Sequence, residues 1–303
     1  MRSAHLRPGG VTRRVLVLGG TADGRLLAER LAELPDVRVT YSLAGRVAAP
    51  ALPRAAGAAR IRAGGFGGVD GLVDYLRSAR ITAVIDGTHP FAAVMTGTAV
   101  AGCRAAGVPL LVMRRPGWSE SAGDRWHRVP SLDAAARALD GLGERVFLTT
   151  GRSSVAVFAG LDRHWFLLRS VEPPGPVLPA RSEILLERGP FTVEGETALM
   201  RRHQVDVIVT KDSGGTLTAA KLGAARALGL PVVMVDRPPL PAGAVTAPDS
   251  GAALRWLDAH GDGAGGPPDP PGPPDPPGPP DPPGTQDPPG TPGSADPLAW
   301  PGR

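Results

Sequence analysis

Val15–Leu31 reads VLVLGGTADGRLLAERL, and the order of residue types in it decides the fold of the first part of the chain. The apolar run Val15 to Leu18 suits a parallel strand buried on both faces. Leu26, Leu27, Leu31 and Leu34 then recur at helical spacing, so a helix follows the strand. Between the two, Gly19 and Gly20 permit a sharp reversal with no Cβ in the way. The free N–H groups that open the helix would face a phosphate. Strand, glycine turn and helix in this order open a nucleotide-binding α/β unit.

The match to the dinucleotide fingerprint is partial. Gly19 and Gly24 take the first and last glycine positions, and Thr21 stands where the middle glycine belongs. Its hydroxyl could donate to a phosphate, but its Cβ keeps a pyrophosphate from the closest approach. A plain Gly-rich turn between strand and helix accounts for the motif equally well. The second strand, Val37 to Thr40, leads into TYSLAGR, where NAD sites carry an acid for the ribose 2′-hydroxyl. Here there is no carboxylate, and Ser42, Gly45 and Arg46 are available instead. That exchange favours a 2′-phosphate, and therefore NADPH over NADH. A merely solvated Arg46 is the plainer alternative.

Composition bounds the rest. The chain has 303 residues, of which 42% are hydrophobic and 20% charged, enough for one or two sizeable cores. Cys103 is the only cysteine, which excludes an internal disulfide and a cysteine-cluster metal site. The apolar runs are too short to cross a bilayer, and a cytoplasmic enzyme is the class this composition fits. Residues 1–13 are read as a disordered extension, because VLVL stops at Gly19 and no cleavage-like site follows. Residues 261–303 hold 17 of the 35 prolines and three consecutive PPDPPG repeats, so a disordered Pro/Gly/Asp-rich tail is expected. The tail carries six acids against one base, which leaves the body to His260 at about +9. No zinc-finger spacing or basic helix accompanies that charge, so a polyanionic small molecule explains it as well as nucleic acid does.

Two α/β domains with largely parallel sheets are expected, at 14–130 and 131–260. In the first, strands near Val15, Val37, Ile61, Ala83 and Leu110 alternate with helices. DGTHP, Asp86 to Pro90, ends the fourth strand, and in such sheets that end lines the ligand crevice. Thr88 and His89 are therefore expected near the nicotinamide, although His89 could equally be a local helix-entry residue. In the second domain TTGR (Thr149 to Arg152) and TKDSGG (Thr210 to Gly215) each follow a strand. Gly151, Arg152, Lys211, Ser213, Gly214, Gly215 and Thr216 offer hydroxyls, free backbone and cations to an anion. Lys211 and Lys221 are the only lysines among 33 basic residues. Sites that keep lysine need a compact ammonium, though Lys221, further into the next helix, reads as solvated.

Taken together, GGTADG, TYSLAGR, GGFGGVDGL at Gly64, DGTHPFA, RRPGW at Arg114, TTGR, ERGPF at Glu187 and TKDSGG resemble the precorrin-6A reductase family over residues 14–257. The resemblance implies two Rossmann-like domains, NADPH held chiefly by the first, and a carboxylate-rich corrin precursor in the cleft between them. It implies hydride delivery to one end of a double bond and a proton to the other, with no metal. Gly19, Gly20, Thr21, Asp23, Gly24, Ser42, Gly45, Arg46 and Thr88 are then cofactor residues. His89, Gly151, Arg152, Lys211, Ser213, Gly214, Gly215 and Thr216 are substrate residues. Asp23 and Asp212 are the weaker carry-overs, and the proton donor stays open among His89, Asp23, Lys211 and water. A cobalt-containing substrate, a non-catalytic NADPH sensor and a tetrapyrrole synthase or lyase are the alternatives. A short-chain dehydrogenase or epimerase is disfavoured, because Tyr41 and Tyr75 are followed four residues later by Gly45 and Ala79 rather than lysine.

Overall fold

The computed structural model describes residues 12–45 and 59–260. Residues 1–11, Arg46 and the proline-rich tail lie outside the described residues; the expected extension 1–13 ends too late, because Arg13 already begins the first strand, 8% exposed and paired with Asp36 and Asp258. Two six-stranded sheets result, and every strand pair in both is parallel.

The first sheet contains β1 (Arg13–Leu18), β2 (Val37–Leu43), β3 (Ala59–Ala63), β4 (Ala83–Asp86) and β5 (Leu110–Met113). Successive residues of β1 serve opposite layers, as strand geometry requires. Val15 and Val17 pack with Leu27 and Leu31 of α1 (Ala22–Ala32). Leu16 and Leu18 pack with Leu72 and Leu76 of α2 (Gly68–Ser78) and with Ala99 and Cys103 of α3 (Ala93–Ala106). The apolar run is thus a strand covered on both sides, as its composition predicts.

The second sheet contains β6 (Trp126–Val129), β7 (Arg145–Leu148), β8 (Trp165–Ser170), β9 (Ser182–Leu186), β10 (Val207–Lys211) and β11 (Val232–Val235). Val146 and Leu148 face Ala135 of α4 (Leu132–Ala138) and Phe158 of a 3₁₀ segment, Arg152–Phe158. Phe147 faces Met200 of α5 (Val193–Arg202) and Leu222 of α6 (Ala220–Leu228). The segment that follows TTGR thus coils as a 3₁₀ helix rather than an α-helix. α6 starts only at Ala220, after a turn in which Gly214 and Gly215 both take positive φ.

Strand membership moves both expected domain boundaries. β12 (Val245–Ala247) pairs with β5, so the chain returns to the first sheet, and α7 (Ser250–His260) buries Ala253 and Leu257 in the α1 layer. Conversely, β6 pairs with β11 and belongs to the second sheet although it precedes residue 131. The orders β3-β2-β1-β4-β5-β12 and β9-β8-β7-β10-β11-β6 are the same doubly wound order, with the sixth strands exchanged between halves. Each sheet has its switch point beside its first central strand, between β1 and β4 and between β7 and β10. GGTADG and DGTHP end one pair of strands; TTGR and TKDSGG end the other.

Candidate active site

The first switch point is built by mutual exclusion of side chains. A Cβ on Gly19 would overlap the Tyr41 ring, and the Tyr41 hydroxyl accepts the Gly20 N–H at 3.2 Å. Gly19 therefore makes room for Tyr41, and Gly20, with φ +118°, makes the reversal. Gly24 packs α1 tightly onto the next turn, since a Cβ there would lie 2.9 Å from the Gly87 carbonyl. Replacing Gly19 by alanine should destabilise the fold by about 1–3 kcal/mol, the usual cost of overpacking. Chemical denaturation would show it as a lower midpoint at unchanged slope.

Thr21 does not offer its proton to a phosphate. Its hydroxyl donates to the Gly87 carbonyl at 2.6 Å and accepts from the Gly24 N–H at 3.0 Å, capping α1. It ties the two loops of the switch point together. The N–H groups of Ala22 and Asp23 remain as the helix-start donors. In the second loop the buried Asp86 carboxylate accepts from the Thr88 N–H and hydroxyl at 3.0 and 2.6 Å, and from the Thr96 hydroxyl at 2.7 Å. Thr88 is thus committed to shaping its own loop. At the end of β2, buried Ser42 lies 3.4 Å from Arg62, whose guanidinium also donates to the carbonyls of Gly64 and Gly65 and covers the Phe66 ring at 3.9 Å. Gly45 follows in the left-handed region.

His89 joins the two switch points. The Phe91 N–H lies 3.2 Å from His89 Nδ1, which makes Nδ1 the acceptor and places the ring proton on Nε2, 3.1 Å from the Ser213 hydroxyl. Burial, then the charges of Arg115, Lys211 and Arg237, lowers its pKa to about 4, so the ring is neutral at neutral pH. Asp23 is paired with Arg115 at 2.6 Å. Arg115 Nε in turn donates to the Ser213 carbonyl at 2.8 Å. A cleft of about 480 Å³ opens here, lined by Gly20, Thr21, Asp23, His89 and Arg115 on one side and by Ser213 to Thr218 on the other.

The profile of the family described as "Precorrin-6x reductase CbiJ/CobK" matches residues 14–258. The chain belongs to this family. A "Precorrin-6A reductase" of Rhodococcus erythropolis is 50% identical over 80% of this chain and 97% of the relative. One of Mycobacterium tuberculosis is 48% identical over the same shares. A solved structure titled "CobK precorrin-6A reductase" superposes with a TM-score of 0.75 at 44% identity, covering 82% of this chain and 97% of that one. Membership and fold together make the chain a reductase of Rossmann-like build, the class that works with a nicotinamide cofactor.

RRPGW, a family motif that carried no assigned role in the sequence, packs against TKDSGG and supports that wall of the cleft from behind. Asp212, 4% exposed, accepts the Trp118 N–H at 3.0 Å and pairs with Arg128 at 3.1 Å. Gly117 leaves the space that its carboxylate fills. Arg237 donates to the carbonyls of Asp212, Arg115 and Pro116. A Cβ on Gly214 would strike the Pro116 carbonyl and the Arg237 guanidinium, so TKDSGG and RRPGW interlock. Neither Arg115 nor Arg237 stood out, because single arginines in an arginine-rich chain carry no spacing signal.

The lysines depart from expectation in opposite ways. Lys221 is 4% exposed rather than solvated; its ammonium donates to the Thr218 carbonyl at 2.7 Å and lies 4.7 Å from the Trp118 ring centre. Burial lowers its pKa to about 7. Lys211 reaches the second switch point, donating to the Ser154 hydroxyl at 2.6 Å and facing the Phe91 ring at 5.4 Å. No carboxylate lies within ion-pair distance of Lys211 among the described residues. Gly151 and Arg152 begin the same 3₁₀ segment, where Arg152 is paired with Glu172 at 2.9 Å. Lys211, Gly151 and Arg152 lie outside the lining of the 480 Å³ cleft.

Proposed function

We propose that this chain reduces one carbon–carbon double bond of precorrin-6A with NADPH, giving precorrin-6B in cobalamin biosynthesis. The observation that carries the reading is the Gly20 turn opening α1 at the mouth of the cleft, in a chain that matches the reductase family along both of its sheets. Gly20 supplies bare backbone, with no atom within 4 Å of where a Cβ would be. Ala22 and Asp23 supply helix-start N–H groups with no acceptor among the described residues. This set fits a dinucleotide pyrophosphate. Bound dihydronicotinamide supplies a hydride, and a proton to the second carbon balances the reduction.

The residues then divide the work. Gly20, Ala22 and Asp23 hold the pyrophosphate end, while Gly19, Thr21, Gly24 and Thr88 shape the loops around it. Ser42, Gly45, Arg46 and Arg62 are placed along the sequence for the adenosine 2′-phosphate. His89, neutral and pinned to Ser213, orients the cleft and excludes water rather than giving a proton at neutral pH. Lys211, with Gly151 and Arg152, meets carboxylates of the macrocycle from the second switch point. Relatives named precorrin-6A reductase reach 50% identity, against 33% for the "Cobalt-precorrin-6A reductase" of Methanothermobacter thermautotrophicus. That difference favours the metal-free substrate.

The test is anaerobic mixing of protein, NADPH and precorrin-6A. Loss of nicotinamide absorbance with a matching change in the macrocycle spectrum is expected. Binding without oxidation supports a sensor, and no NADPH binding at all supports a synthase or lyase. For the cofactor, Arg46→Ala should raise the KM for NADPH about 10- to 100-fold with little change for NADH, the loss of a hydrogen bond to a charged group. Equal effects on both would show that Arg46 does not read the 2′-phosphate.

A further inference from the structure

Arg115 is held by three separately built elements at the edge of the cleft. Its carbonyl is held at 2.6 Å by Arg237, which fixes the backbone. Its Nε is held at 2.8 Å by the Ser213 carbonyl from the far wall. Its Nη1 is held at 2.6 Å by Asp23 in the first turn of α1. Gly215 lacks the Cβ that would press on the arginine, at 3.2 Å from both Cδ and Nε. A long side chain is thereby fixed in one posture, with its ordering cost met before any ligand arrives.

Two facts point that posture at an anion. Among the described residues Arg115 is the only cation lining the cleft, whose other charged members are Asp23 and Asp249. Of its five N–H bonds two are used, and the other three have no acceptor among the described residues. The Arg115 side chain is 22% exposed and lines the cleft. Its anchor on Asp23 places it beside the helix-start N–H groups, and Asp23 alone would repel a phosphate there.

We infer that Arg115 is a pyrophosphate-binding residue, supplying the cation that the glycine turn and helix start lack, with Asp23 as its positioning residue. The inference rests on the dinucleotide reading above. A pyrophosphate fits better than a macrocycle carboxylate because the fork lies against α1 and the Gly20 turn, at the first switch point and not the second. A planar fork can hold Asp23 and a phosphate oxygen together, which an ammonium does less well.

Calorimetric titration of the full-length protein with three ligands tests this. NADP⁺ and 2′-phospho-ADP-ribose carry the pyrophosphate, and adenosine 2′-monophosphate does not. Arg115→Ala should weaken the first two about tenfold or more, as expected for a charge-assisted contact. Adenosine 2′-monophosphate should bind unchanged, which also shows that the variant is folded. Arg115→Lys should recover part of the loss. Equal weakening of all three ligands, or of none, overturns the inference. A variant that binds all three normally but loses affinity for the macrocycle assigns Arg115 to substrate and overturns it as well. If the unaltered protein binds no NADP⁺, the dinucleotide reading itself fails.

Discussion

Glu196→Ala is expected to cost about 3–5 kcal/mol of stability, the penalty for truncating one partner of a buried ion pair. Arg169 and Glu196 meet in a two-pronged contact at 2.5 and 2.8 Å, with side chains only 6% and 3% exposed. The guanidinium is covered by Phe191 at 3.8 Å and Phe147 at 4.8 Å from the ring centres. Removing the carboxylate strands a charge between aromatic rings, with only the half-exposed Glu187 at 3.8 Å to answer it. Thermal unfolding should fall by on the order of 10 °C for a body of this size. Replacing both partners with apolar residues should restore most of the loss, because the stranded charge goes too. A shift of under 1 kcal/mol for Glu196→Ala would show that water reaches the pair.

Lys211→Ala should leave stability nearly unchanged and lower kcat/KM for the macrocycle by about tenfold or more, from the ~1.5–3 kcal/mol typical of hydrogen bonds to charged groups. Its ammonium contacts only a hydroxyl and an aromatic face, and burial lowers its pKa, so the charge costs the fold something rather than supporting it. The sign of the pH effect follows. The group loses its proton below the usual lysine range, and macrocycle affinity should fall over that range while the affinity of the variant stays flat. Lys211→Arg should recover part of the activity, since a fork fills the close contact with Ser154 poorly. Full turnover of Lys211→Ala at low substrate would make the second switch point structural.

What the sequence shows, and what it hides, follows from where information is local. Central strands are legible because both faces are buried, so Val15–Leu18 and Val207–Val209 are apolar throughout. Edge strands are not: Trp126–Val129 has no fully buried residue and Val245–Ala247 only one. Missing those two strands is what displaced both domain boundaries. In the site, turns that end central strands were found by glycine and hydroxyl content, and His89, Ser213 and Gly214 do meet in one cleft. The arginines that hold it together act through carbonyls more than 90 residues away, and no local spacing encodes such a partner. Lys221 was misread because its helical position alone does not reveal that Trp118 covers it.

The exchanged sixth strands set an order of assembly during synthesis. The second sheet has all of its strands once Val235 has left the ribosome, because β6 was made before it. The first sheet, though begun at residue 13, waits until residues 245–260 supply β12 and α7. Until then the open edge of β5 and the apolar surface that Ala253 and Leu257 will cover stay exposed. The half that carries the glycine turn is therefore the last to close, and a chain cut anywhere before His260 would present an incomplete nucleotide fold to the cell's proteases.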